Sequence, residues 1–125
     1  MKKHTWAMGC SVTALALLVG CSSMKTPATA DVAVSKAAVD SAVGAGGAEF
    51  APLEMESART KMAAANQAMA NKDYKLAARL ANEAQVDAKL AQGKANSAKA
   101  QAAADALQDN LRVLREELDR ASNSN

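Results

Sequence analysis

Cysteine carries the most reactive side chain in this sequence, and it occurs twice, at Cys10 and Cys21. Cys21 has a distinctive setting. Lys2 and Lys3, beside His4, open the chain with positive charge, an apolar stretch follows over residues 6–19, and Gly20 stands immediately before the cysteine. A basic start, an apolar run and a small residue at a cut are the three parts of an export signal. The run is shorter than the roughly 20 apolar residues of a membrane-spanning helix, and the polar Ser11 and Thr13 sit inside it. It therefore suits a segment that is inserted once and then removed, with an uncleaved anchor as the alternative. A cut between Gly20 and Cys21 would make the cysteine the first residue of the mature chain. Cys10, after Ala7-Met8-Gly9, has no apolar run ahead of it and is expected to leave with the signal.

Leu18-Val19-Gly20-Cys21 resembles the lipobox of bacterial lipoproteins. The resemblance implies a diacylglycerol thioether on Cys21, cleavage before it, and acylation of the freed amine by a chain such as palmitate. Each buried CH₂ contributes about 0.8 kcal/mol, so two or three chains anchor where one does not. The competing reading is a plain secreted protein with a free thiol. Ser22 follows the cysteine where an aspartate would retain a Gram-negative lipoprotein at the inner membrane, so the resemblance points to the periplasmic face of the outer membrane. On this reading residues 1–20 are the signal peptide and residues 21–30, with Ser22, Ser23, Thr26 and Pro27, are a polar tether. Residues 31–122 form a helical domain, and 123–125 a disordered tail.

Other chemistries find little support. His4 is the one histidine and leaves with the signal, so no catalytic histidine remains. Gly44-Ala45-Gly46-Gly47 follows no strand and reads as a hinge rather than a phosphate loop. Glu116, Glu117 and Asp119 could be imagined as metal ligands, but the arginines around them indicate a solvated helix face. Tyr74 could contact a ligand, but it more simply anchors a turn with its ring buried and its hydroxyl wet. No catalytic residue, metal site or cofactor is expected, and the chain reads as a non-enzyme. The whole sequence carries 15 basic and 13 acidic residues; removing Lys2 and Lys3 leaves 13 of each. Such a balance gives no electrostatic reason to bind nucleic acid.

The elements that would position any surface are helical. Over residues 31–43, Val32, Val39 and Val43 fall near one stripe, although β-branched residues are stiff in helices. The glycines then break the chain. Pro52 suits the first position of a second helix, where its missing N–H costs nothing, and Glu54 and Glu56 suit the positive end of its dipole. Met55, Met62 and Met69 recur every seven residues, with Ala58 and Ala65 between them, giving one apolar face. This stripe reads as core, with a methionine-lined binding groove as the competing reading. Arg59, Lys61, Asn66 and Gln67 are expected to be solvated. Asn71-Lys72-Asp73 reads as a tight turn in which Asn71 or Asp73 caps a third helix over residues 74–121. Gly93 costs that helix about 1 kcal/mol without ending it. Ala77, Ala81, Ala84, Ala88, Ala91, Ala95, Ala98 and Ala102 form an alanine seam in steps of four and three. The seam then shifts to Leu107, Leu111, Leu114 and Leu118, flanked by Arg112, Glu116 and Arg120 at pairing distance.

The resulting fold is all-α: an antiparallel helical hairpin with one long alanine-rich helix and a short N-terminal helix. Tyr74, Ala77, Ala81, Ala84 and Ala88 pack against Met55, Met62 and Met69. The second helix is too short to reach the leucines, which are left as a seam for self-association or a partner. Alanine buries little area, so the core is thin.

Glu49-Phe50-Ala51-Pro52-Leu53, Ala58-Arg59, and Asp73-Tyr74 with Ala77, Leu80, Ala81, Ala84 and Ala88 resemble the bacterial lipoproteins of the domain-of-unknown-function 4398 family. These have an aromatic-Ala-Pro start to one helix and a Gly/Lys-Asp-Tyr turn into an alanine-rich one. The resemblance spans about residues 34–102 and implies a small helical envelope lipoprotein without known catalysis. Some relatives carry an OmpA-like peptidoglycan-binding domain, so an OmpA-like or other envelope protein is the implied partner, beside the membrane itself. Asp73-Tyr74 and the alanines also resemble one tetratricopeptide helix, but the second copy that a 34-residue repeat array needs is not found. The expected function is a structural or accessory role through helix–helix contacts. The alternative is a trimeric coiled coil that bridges outer membrane and cell wall; the glycine and proline breaks, and the ending in Asn125 rather than lysine, speak against it.

Overall fold

The computed structural model describes residues 24–124, which form four helices: α1 (Lys25–Gly44), α2 (Gly47–Phe50), α3 (Pro52–Ala70) and α4 (Tyr74–Asn123). No strand occurs among the described residues, and the fold is all-α with a long C-terminal helix. None of these helices is long and apolar enough to cross a membrane. Gly20 and Cys21, and with them the lipidation and cleavage positions, lie outside the described residues.

The N-terminal helix is longer than expected. It begins at Lys25, so residues 25–30, expected in the tether, are helical. Pro27 stands in the first turn, where no intrahelical N–H bond is lost. The reason for the extension is Ala28, which is fully buried. The buried stripe runs through Ala28, Ser35, Val39 and Ala42, in steps of seven, four and three. Val32 is half-buried between them, whereas Val43, expected on the stripe, is exposed. Small residues, not valines, make most of this contact.

Interhelical bonds define the directions. Ser35 Oγ donates to the Ala81 carbonyl at 2.6 Å, and further along both helices Val39 and Ala42 share a core cluster with Ala88 and Ala91. Sequence number rises together on the two sides, so α1 runs parallel to α4. Lys61 meets Asp87, and Glu54 meets Lys94; here the numbers run oppositely, and α3 is antiparallel. Both helices share the alanine seam. Ala77, Ala81, Ala84, Ala88, Ala91 and Ala95 are fully buried.

The turns are built to hold this spacing. Gly46 has φ +88°, a left-handed conformation that suits glycine. At Gly47 a Cβ would lie 2.8 Å from the Ala42 carbonyl oxygen and 2.9 Å from Met55 Sδ, so the chain passes there only without a side chain. The expected hinge is thus a packed corner. Pro52 takes the first position of α3 as expected. At the other end, Lys72 takes φ +62°. Its N–H donates to Met69 O at 3.1 Å, and the Asp73 N–H donates to Ala68 O at 2.9 Å. This pair of bonds is a Schellman closure, which satisfies carbonyls at the helix end. Asp73 rather than Asn71 caps α4, accepting from the Leu76 N–H at 3.0 Å. At the far end Asn123, expected in the tail, is still helical.

A side chain larger than alanine in the shared seam has two helices to displace. Ala84→Leu is expected to destabilise the fold by about 1–3 kcal/mol, whereas Leu53→Ala, at an exposed position, stays within about 0.5 kcal/mol. Urea denaturation followed by circular dichroism separates the two.

Candidate interaction surface

The expected packing residues are brought together. Met55 is buried between α2 and α4, Met62 is buried, and Met69 is half-buried at the end of the stripe. Tyr74 is half-buried at the turn. Ala98 is only partly buried and Ala102 is exposed, so the bundle ends near Ala95.

Two side-chain groups on the α3–α4 flank were not foreseen. Asp87 Oδ2 accepts from Lys61 Nζ and from Ser57 Oγ, each at 2.7 Å. Lys61, expected on the solvated face, is instead drawn toward α4. Its hydrogen bond holds the Asp87 carboxyl below its ordinary range, with Ser57 adding to the effect and burial opposing it. Glu54 pairs with Lys94; that hydrogen bond, with the backbone N–H at the start of α3, lowers its pKa as well. Neither pair is visible in the sequence, because both depend on the register between two helices, with the paired residues 26 and 40 positions apart along the chain. Lys99 Nζ lies 5.9 Å from the centre of the Phe50 ring and closes the corner below α2.

From residue 99 to 123 every position of α4 is exposed. This projection is about 37 Å long at 1.5 Å per residue. It carries Leu107, Leu111, Leu114 and Leu118 with 59, 44, 54 and 69% of their surface open. Val86 and Leu90, on the part of α4 that lies within the bundle, are exposed as well and were not foreseen. The support of the projection is local. Arg112 meets Asp109 at 3.5 Å and Glu116 at 3.9 Å, and Gln101 meets Asp105 at 3.1 Å. The expected Glu116–Arg120 pair does not form. Such pairs contribute about 0.2–0.5 kcal/mol each, too little to account for a leucine row in water. Glu116, Glu117 and Asp119 are exposed on this helix, and no metal-holding group of three His, Cys, Asp or Glu occurs among the described residues. Two open grooves, one between α1 and α3 lined by Lys36, Val39, Arg59 and Met62, the other beside Asp87, are shallow.

Helices of this order, with the aromatic-Ala-Pro corner and the capped turn, place the chain among small all-α proteins. It belongs to the family described as domain of unknown function DUF4398, whose sequence profile matches residues 30–107. The match takes in most of α1, the whole of α2 and α3, and α4 as far as Leu107; the remaining leucines lie beyond it. No curated protein and no solved structure shows significant similarity to the chain.

The flank ion pairs make stability depend on acid pH. Both carboxyls sit below their ordinary values of 3.8 and 4.5 in the folded state. Their contribution is present above those values and is lost as pH falls through the lowered ones. The urea midpoint should therefore be level above pH 4.5 and fall below it, and Asp87→Asn should lower the plateau and flatten the fall. An unchanged pH profile in that variant would assign the acid sensitivity elsewhere.

Proposed function

We propose that this protein is an envelope lipoprotein, tethered by lipid on Cys21 to the periplasmic face of the outer membrane, with a structural role exercised through helix–helix contacts and no catalysis. The observation that carries the reading is the exposed leucine row on the free half of α4, an adhesive surface on a helical scaffold. Membership of the helical family supports it, as does the basic, apolar, Gly20-Cys21 order at the start of the chain. The fold adds a direction. Ser35 is level with Ala81, and the same offset sets Ala28 level with Tyr74. The start of α1 thus lies beside the α3–α4 turn, and the leucines stand at the opposite end. An OmpA-like or other envelope protein is a partner of the right kind.

The alternative, a parallel trimeric coil bridging membrane and wall, draws on the same leucines. Against it, α1 and α3 pack on α4 as far as Ala95, which makes the chain a bundle with an arm rather than one uninterrupted rod.

Mass spectrometry of the mature N-terminus tests the tether. The expected product starts at Cys21 and carries thioether-linked diacylglycerol, with the bound mass lost and the protein released from the membrane fraction in Cys21→Ser. A different first residue, or an unmodified Cys21, overturns the lipoprotein reading.

A further inference from the structure

The leucine row is one half of a longer stripe that continues along the back of the bundle. Val86, Leu90, Gly93, Ser97, Ala100, Ala104, Leu107, Leu111, Leu114 and Leu118 follow one another in steps of 4-3-4-3-4-3-4-3-4, and all are exposed. This is an unbroken heptad spacing, which marks one face of a helix that coils around a partner. At 100° per residue the part from Val86 to Ala100 lies about half a turn from the buried alanine seam. Among the exposed large hydrophobics of α4, the stripe takes in all but Val113. The space above it is open, since a Cβ on Gly93 would meet nothing within 4 Å.

The steps read the same in both directions about a point midway between Ala100 and Ala104. A face of that pattern fits its own reverse. We propose that two copies of this chain pair antiparallel along the back of α4, with the two-fold axis between Ala100 and Ala104. An isologous contact requires that each residue pair occur twice about the axis, and this register does so throughout. Leu107 lies opposite Ser97 of the second copy, Leu111 opposite its Gly93, Leu114 opposite its Leu90, and Leu118 opposite its Val86. The leucine arm of each copy thereby covers the back of the other's bundle. The small Gly93 and Ser97 receive the large Leu111 and Leu107, and only the alanines at 100 and 104 meet small against small across the axis.

The flanks agree with this direction. On one side Lys89 comes beside Glu117 of the second copy, and Asn96 beside its Asn110. On the other, Lys94 comes beside Gln108, and Arg115 beside Asp87. Within these facing pairs no like charges meet, and Arg115 shares Asp87 with Lys61 of the same copy as that aspartate. A parallel pair would set Lys89 beside Lys94 of the second copy, because flanking positions five residues apart then face each other. It would also stack Gly93 on Gly93 and Ser97 on Ser97, leaving those two positions without a large residue to fill them.

The contact is about 48 Å long and one helix, about 10 Å, wide on each partner. That is roughly 1,000 Å² in all, at the lower limit of a specific interface, so the pairing is reversible and depends on concentration. The proposal rests on the helix-contact part of the function above and not on the lipid.

The test uses the full chain with Cys10→Ser and Cys21→Ser, which carries no lipid, so its outcome is independent of whether Cys21 is acylated. Single cysteines are then added and treated with a short bismaleimide at high protein concentration. A mixture of Ser97→Cys and Leu107→Cys should crosslink. Leu111→Cys alone should not, because its two copies stand about 27 Å apart. Light scattering should show a dimer that Leu111→Glu, at an exposed position, shifts to monomer with unchanged helix content. Lys89→Glu should weaken the dimer, and Lys89→Glu with Glu117→Lys should restore it. Self-crosslinking of Leu111→Cys (a parallel pair), crosslinking of Leu107→Cys to Leu118→Cys (a pair confined to the arms), or a monomer at every concentration overturns the proposal.

Discussion

Every contact in this bundle depends on how closely two helices can approach the alanine seam of α4. Dispersion between packed atoms falls off within an ångström or so of optimal distance, and an alanine buries too little area to stabilise a contact held further away. The Ser35 hydroxyl reaches the Ala81 carbonyl because the residues that face each other at that level, Ser35 and Ala81, are both small. On the other flank Ala58 and Ala65 alternate with Met55, Met62 and Met69, and the methionines supply most of the bulk. Gly47 extends the same demand into the corner, where even a Cβ would collide with the Ala42 carbonyl.

This close spacing explains why the polar pairs lie where they do. A core of alanines has no deep interior, so the flank of the α3–α4 contact stays within reach of water. Lys61, Ser57 and Asp87 meet there with the lysine and aspartate still partly exposed. In that setting an ion pair fixes register more than it adds stability. Reversing α3, or sliding it by a turn, would break both the Asp87 and the Glu54 pairs at once. The seam allows close approach in several registers, and the charges select one.

The elements that repeat were legible in the sequence. Pro52 opens α3, the seven-residue spacing of Met55, Met62 and Met69 marks its inner face, and Ala77 through Ala95 mark that of α4. Those signals are periodic and local, and they also indicated that the leucines beyond Ala102 would lack cover within the chain. The N-terminal helix was less legible. Its contact is made largely by Ala28, Ser35 and Ala42, which are too small to stand out from a background rich in alanine and serine, while the conspicuous Val43 faces solvent. The outer stripe was legible only in its leucine half. Between Leu90 and Leu107 it passes through Gly93, Ser97, Ala100 and Ala104, and no apolar signal connects the two ends. The Asp87 and Glu54 pairs were not legible at all, because they follow from register rather than from spacing. Lys61 read as a surface residue for the same reason.

The two stripes of α4 face in opposite directions, and this decides what shape an assembly can take. The buried seam holds α1 and α3 on one side, while the outer stripe runs along the back from Val86. A second copy can therefore lie over the back of the bundle without displacing either helix, and it gives α4 a neighbour on the face that the chain itself leaves open. Each copy extends about 42 Å from Tyr74 to the two-fold axis, so an antiparallel pair is a rod of about 85 Å with the Lys25 ends pointing apart. With lipid at both ends, as the proposed tether would place it, such a rod can hold both anchors in one membrane only by lying along the surface. A parallel coil would stand away from it. The direction of the pairing is thus also what would determine whether this protein spans a gap or stiffens a surface. The small residues at Gly93 and Ser97, and the lysines at 89 and 94 that a parallel pair would bring together, favour the second.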